Sequence, residues 1–105
     1  MENIEKQNGV YRYEERPNPY DRSNIYDVGT LVLDVKETET SLQLKVIEKD
    51  MRYSTYVDVL FGNKDKVNIK KEGSPHRLIF GNGWFTVYPN RMGKPLCFVK
   101  GGANG

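Results

Sequence analysis

Leu78-Ile79-Phe80-Gly81-Asn82-Gly83-Trp84-Phe85-Thr86-Val87-Tyr88 decides the fold. Two strand-forming runs flank an Asn-Gly pair. A two-residue Asn-Gly loop favours a type I′ turn, because both loop residues must take positive φ and these two tolerate it best. Such a turn fixes the hairpin register. Phe80 stands opposite Phe85 and Leu78 opposite Val87 on one face, with Ile79 opposite Thr86 and Arg77 opposite Tyr88 on the other.

The same period of two runs outward from the hairpin. Leu31, Leu33 and Val35 alternate with polar neighbours, as do Leu42, Leu44 and Val46. Tyr53, Thr55, Val57, Val59 and Phe61 follow, then Val67 and Ile69, and last Cys97 and Val99. Alternation of this kind marks strands with one buried face, here an antiparallel meander. The expected pairs are Val35 with Leu42, Leu33 with Leu44 and Leu31 with Val46, around a turn at Thr38-Glu39. Val46 then faces Tyr53, Leu44 faces Thr55 and Leu42 faces Val57, around Lys49-Asp50. Phe61 faces Val67 and Val59 faces Ile69 across residues 62–66, and Ile69 faces Leu78 across a longer connection over 70–77. A looser loop from Pro89 to Pro95 returns the chain to a last strand at 96–100. No convincing helix is visible. About seven strands with a single apolar face close into a small barrel or a two-sheet roll.

Residues 10–27 break the pattern. Val10 to Tyr13 suits a short strand, but Pro17, Asn18 and Pro19 interrupt any regular element. Tyr11, Tyr13, Tyr20 and Tyr26 are interleaved with Arg12, Arg16 and Arg22. The expected organisation is a Tyr/Arg/Pro arm over 1–27 with a loose polar start, an all-β domain over 28–100, and a disordered tail over 101–105. At 105 residues the chain makes one domain with a single core. Its apolar runs are too short to cross a membrane. Met1 to Lys6 have neither the basic start nor the apolar run of a leader, and one cysteine excludes an internal disulfide, so the expected location is cytoplasmic. Net charge is +2, yet residues 1–50 hold seven Lys/Arg against eleven Asp/Glu, and residues 51–105 hold nine against three. Such a split suits either an anion-binding half or two halves that attract each other.

The alternation leaves Ile79, Trp84, Thr86, Tyr88, Leu96 and Phe98 on the outer face of the last three strands, with Tyr56 outward on an earlier one. That face is too apolar to stay wet on a monomer. Three covers fit: the N-terminal arm, a second copy or another protein, or stacked nucleic-acid bases. The reading adopted is a non-enzymatic protein-interaction module that self-associates or binds a partner. Its surface comprises Trp84, Tyr88, Phe98, Ile79 and Tyr56, with Arg77 and Arg91 at the rim. The alternative is a single-stranded nucleic-acid-binding small barrel. In that reading the aromatic residues are stacking platforms, while Lys70, Lys71, Arg77, Arg91, Lys94 and Lys100 hold the backbone.

Catalytic chemistry has little foothold. His76 stands alone in a Gly-Ser-Pro-His connection and reads as a solvated loop residue. Cys97 falls on the inner face, where burial hides a thiol, and reads as a small core residue. No Cys/His spacing suits zinc, no Asp-rich pattern suits calcium, and Gly62-Asn63-Lys64-Asp65-Lys66 lacks a phosphate-loop pattern. Asp27, Asp34, Glu48 and Asp58 show no spacing that brings two carboxylates together. The expectation is no catalytic residue, metal or cofactor.

Overall fold

A computed structural model describes residues 6–14, 29–51, 55–93 and 95–101. Its seven strands are β1 (Asn8–Glu14), β2 (Gly29–Glu37), β3 (Ser41–Met51), β4 (Lys66–Lys70), β5 (Arg77–Gly81), β6 (Trp84–Tyr88) and β7 (Leu96–Lys100). A short helix, α1 (Thr55–Phe61), precedes β4, and a 3-10 turn (Pro89–Arg91) follows β6. All pairings are antiparallel, in the order β4-β3-β2-β1-β7-β6-β5. The single sheet curls into a half-barrel, with β4 and β5 as its two edges.

The Asn82-Gly83 hairpin has the register its turn implies: Arg77 with Tyr88, Leu78 with Val87, Ile79 with Thr86, Phe80 with Phe85. Its turn differs in kind. Only Gly83 takes a positive φ, +76°, so the φ signature is that of type II and not type I′.

Three expected pairings are corrected. First, β2 and β3 meet two residues further along, with Leu33 on Val46 and Val35 on Leu44. The Thr38 hydroxyl accepts from the Ser41 N–H (3.0 Å) and stretches the turn over residues 38–41. A slip of two keeps every side chain on its face, so Leu31, Leu33, Val35, Leu42 and Leu44 remain buried. Beyond Val46 a bulge adds Ile47 to β3, leaving that side chain 56% exposed.

Second, residues 55–61 are helical and are not a strand. Val57, Leu60 and Phe61 sit three and four apart as well as on mixed parity, and a short apolar run is compatible with either period. The helix buries these three and packs against the 3-10 turn and β4. It stops at Gly62, whose φ of +63° lets its N–H reach the Asp58 carbonyl at 2.6 Å. With no strand there, Leu42 pairs with Ile69 and Leu44 with Val67, and Ile69 does not meet Leu78, because β4 and β5 stand at opposite edges of the sheet. β1 restores the count of seven, and it lies inside the sheet between β2 and β7.

Third, β7 is out of phase by one. Phe85 faces Phe98 and Val87 faces Leu96, so Leu96 and Phe98 point into the core and Cys97 and Val99 point away. Leu96-Cys97-Phe98-Val99 is apolar at both parities, and the intervening loop passes through two left-handed residues, Asn90 (φ 49°) and Arg91 (φ 58°). Alternation carries no phase across such a segment. Cys97 is buried all the same.

The core is an aromatic ladder laid across β1, β7 and β6. Tyr11 and Phe85 have ring centroids 5.2 Å apart, Phe85 and Phe98 stack at 5.2 Å, and Tyr13 meets Phe98 edge-on at 5.8 Å. Each such pair adds about 0.5–1.5 kcal/mol beyond its buried area. The N-terminal segment is tied in before β1 begins. Gln7 is 1% exposed, its amide Nε2 donates to the Gly81 carbonyl at 2.7 Å, and its Oε1 accepts from the Tyr11 hydroxyl. Its backbone exchanges two hydrogen bonds with Glu37. The loose start expected for residues 6–9 is therefore replaced by a buried polar clasp joining β1 and β2 to the end of β5. The rest of the expected arm, residues 15–27, lies outside the described residues, as do Val28 and the tail at 102–105.

Candidate binding cleft

The edge strand β5 borders an open cleft of about 880 Å³. One wall is the connection 71–76, another is the loop after β6, and the floor is β5 with Tyr88 of β6. The hairpin register brings Arg77 across from Tyr88, and the guanidinium lies 4.2 Å from the centre of the Tyr88 ring. This contact aims a cation from a short rigid hairpin, with its N–H fork left to reach outward. Arg91 enters from the 3-10 turn, held by its own left-handed backbone and by the Met92 N–H on the Pro89 carbonyl at 2.8 Å.

Lys71 completes the cationic lining. Its Nζ bonds Glu37 Oε2 at 2.7 Å and lies 5.9 Å from the Phe80 ring. Glu37 also accepts from the Gln7 N–H, so the clasp and the cleft share a carboxylate. Arg77 and Arg91 form no ion pair with any described carboxylate. Leu78 and Phe80 are half-buried and supply apolar floor.

His76 is half-buried, not solvated. Its Nδ1 accepts the Asn90 N–H at 3.0 Å, so the neutral ring carries its proton on Nε2. Burial holds the imidazole below its ordinary pKa, and a charged ring would lose that acceptor. The histidine thus pins the 3-10 turn to the 71–76 connection. On the other side of the clasp, burial and then the nearby Glu37 carboxylate push the Tyr11 phenol above its ordinary value.

The residues proposed from sequence are divided by the structure. Arg77, Tyr88, Arg91 and Lys71 converge on the cleft. Ile79 is 41% exposed on the outer side of β5. Trp84 lies half-buried with its indole across Gly81, where a Cβ would come within 2.0 Å of the ring. Phe98 is 0% exposed and belongs to the core, and Tyr56 stands on α1 instead of on the sheet's outer face. Lys70 borders a separate hollow beside Ser41 and Asn68, Lys100 is exposed at the end of β7, and Lys94 is outside the described residues. Sequence reasoning missed Gln7, Leu78, Phe80 and His76. Of these only His76 carried a signal, its place three residues after Gly73 in a connection long enough to fold over a neighbour.

Among the described residues no three His, Cys, Asp or Glu side chains gather as a metal site would require. No described helix is long and apolar enough to cross a membrane. Comparison with protein-family models, curated proteins and solved structures found no match for this chain.

Proposed function

We propose that this protein is a non-enzymatic interaction module, and that its ligand is an acidic segment of a partner protein seated in the β5 cleft. The observation that carries this reading is the meeting of Arg77, Arg91 and Lys71 with Leu78, Phe80 and Tyr88 around one open concavity. Interfaces draw their affinity from anchored aromatic and arginine side chains, and here Arg77 is already positioned on Tyr88. The cleft volume lies within the range of about 300–1,000 Å³ common for ligand sites. Of the expected outer aromatic face, Ile79 and Trp84 do not line the cleft.

Single-stranded nucleic acid is the rival ligand for the same cations. It has weaker support, because a run of bases needs a run of platforms. Of those expected, Phe98 is in the core and Tyr56 is on α1.

Fluorescence anisotropy with two labelled probes separates the readings: a heptapeptide of alternating Glu and Val, and an oligothymidylate. The peptide is expected to bind, and the double substitution Arg77→Ala/Arg91→Ala to weaken it roughly five- to tenfold, the scale of two partly exposed ion pairs. Tighter binding of oligothymidylate, falling steeply with salt, overturns the protein-binding reading. Peptide binding untouched by the double substitution removes the cleft from it.

A further inference from the structure

We infer that the acidic segment binds as an eighth strand, added to the free edge of β5; this rests on the reading just proposed and names how the cleft takes its ligand. The hydrogen-bond parity of the sheet carries the inference. The Lys100 N–H donates to the Gly83 carbonyl at 2.8 Å, which marks the side of the hairpin that faces β7. In an antiparallel ladder the main-chain groups of alternate residues point the same way. Phe85 and Val87 therefore serve β7, while Trp84, Thr86 and Tyr88 serve β5. Their partners Gly81, Ile79 and Arg77 point back to β6. Leu78 and Phe80 are left, each with an N–H and a C=O aimed past the end of the sheet. Among the described residues none donates to or accepts from these groups.

The two sheet edges differ. β4 presents exposed Lys66, Asn68 and Lys70 along its five residues, the usual guard against pairing with another chain. On β5 the outward side chains are Arg77 and Ile79. Beside it lies the cleft, so an incoming chain has room as well as bonds to make.

Charge selects the occupant. A strand laid beside β5 meets Arg77, Arg91 and Lys71, with Glu37 already held by Lys71. A second copy of β5 would bring the same cations against themselves. An acidic strand meets them with opposite sign. Its side chains alternate between the two sheet faces, so one parity lies over Leu78 and Phe80 and the other lies toward Arg77. The expected ligand is an extended segment of about five residues, matching β5, that alternates apolar and acidic.

The test uses the full chain and the Glu/Val heptapeptide in three forms: unmodified, N-methylated at its valines, and N-methylated at its inner glutamates. N-methylation removes a donor without altering charge. Strand addition predicts that one methylated form loses affinity about tenfold or more and that the other binds nearly as well as the parent. It also predicts that amide hydrogen exchange at Leu78 and Phe80 slows in the complex, while that at Ile79 is unchanged. If both methylated forms bind like the parent and those two amides exchange as before, the added strand is wrong and the acidic-ligand reading stands. If the unmodified peptide does not bind at all, both fall.

Discussion

Replacing Gln7 by Ala tests the clasp that ties the start of the chain to β5. The side chain is buried with two partners: it donates to the Gly81 carbonyl at 2.7 Å and accepts from the Tyr11 hydroxyl. Removing it leaves a buried phenol without an acceptor, at about 1–3 kcal/mol. The Gly81 carbonyl keeps its ladder partner across the hairpin, so its loss is nearer the low end of that range. The vacated volume adds a cavity term. A total near 3 kcal/mol is expected, a large share of the about 5–15 kcal/mol that holds a domain of this size. With a urea m-value of about 1.5 kcal/mol/M, the unfolding midpoint falls by about 2 M. Tyr11→Phe alone is expected to cost about 1–2 kcal/mol, and the double variant to show coupling of about 1 kcal/mol. A Gln7→Ala loss below about 0.5 kcal/mol, within the range of ordinary surface changes, or zero coupling to Tyr11→Phe, refutes the clasp. Gln7→Glu adds a check by sign. The ionised carboxylate cannot donate to Gly81 and sits beside Glu37, so its folded-state pKa is raised. That variant should lie closest to the parent at acid pH and lose stability as pH rises through that value.

Further expectations concern single residues. Gly81→Ala places a Cβ 2.0 Å from the Trp84 indole, so it should destabilise by about 1–3 kcal/mol and shift tryptophan emission as the ring is displaced. Phe98→Ala removes a fully buried ring from the aromatic ladder and should cost about 3–5 kcal/mol in urea denaturation; a loss under about 1 kcal/mol returns Phe98 to the surface. The His76 imidazole is held below its ordinary pKa by burial, so the unfolded chain takes up the proton first. The neutral ring's contribution is complete above the unfolded value of about 6.5 and is lost as pH falls through the lower folded value. His76→Gln should flatten that part of a thermal-melt pH series. Gly62→Ala has open space but a φ of +63°, so it should cost about 1 kcal/mol through backbone strain alone.

How much of this fold is written in the sequence depends on whether each error in register is even or odd. The β2–β3 slip is even, so the buried set was right although every partner was wrong. The β7 slip is odd, and it moved Phe98 and Leu96 from the expected outer face into the core. Nothing local distinguishes the two cases. Turn length sets the parity, and turn length depends on details such as the Thr38 hydroxyl and the left-handed Asn90 and Arg91. The Asn82-Gly83 hairpin was legible to the residue because its loop admits only one length. The helix was not, since its seven residues carry apolar side chains at both periods and the outcome was decided by packing on β4 and the 3-10 turn.

The site follows the same division. Arg77 and Tyr88 were legible because the hairpin fixes them opposite each other. Arg91 and Lys71 reach them from the 3-10 turn and the 71–76 connection, whose conformations no strand pattern encodes. The uneven charge of the two halves gains a location from this. If it served only mutual attraction, cations of residues 51–105 would be spent on carboxylates of residues 1–50. Lys71 on Glu37 is such a pair, but Lys49 on Asp58 runs the other way. Arg77 and Arg91 meet no described carboxylate and stand together at the one sheet edge without a row of lysines. Surplus cations beside unpaired main-chain groups leave β5 chemically incomplete in two ways at once. An acidic extended chain supplies both missing halves, whereas a nucleic acid supplies charge alone and a second β5 supplies the ladder alone.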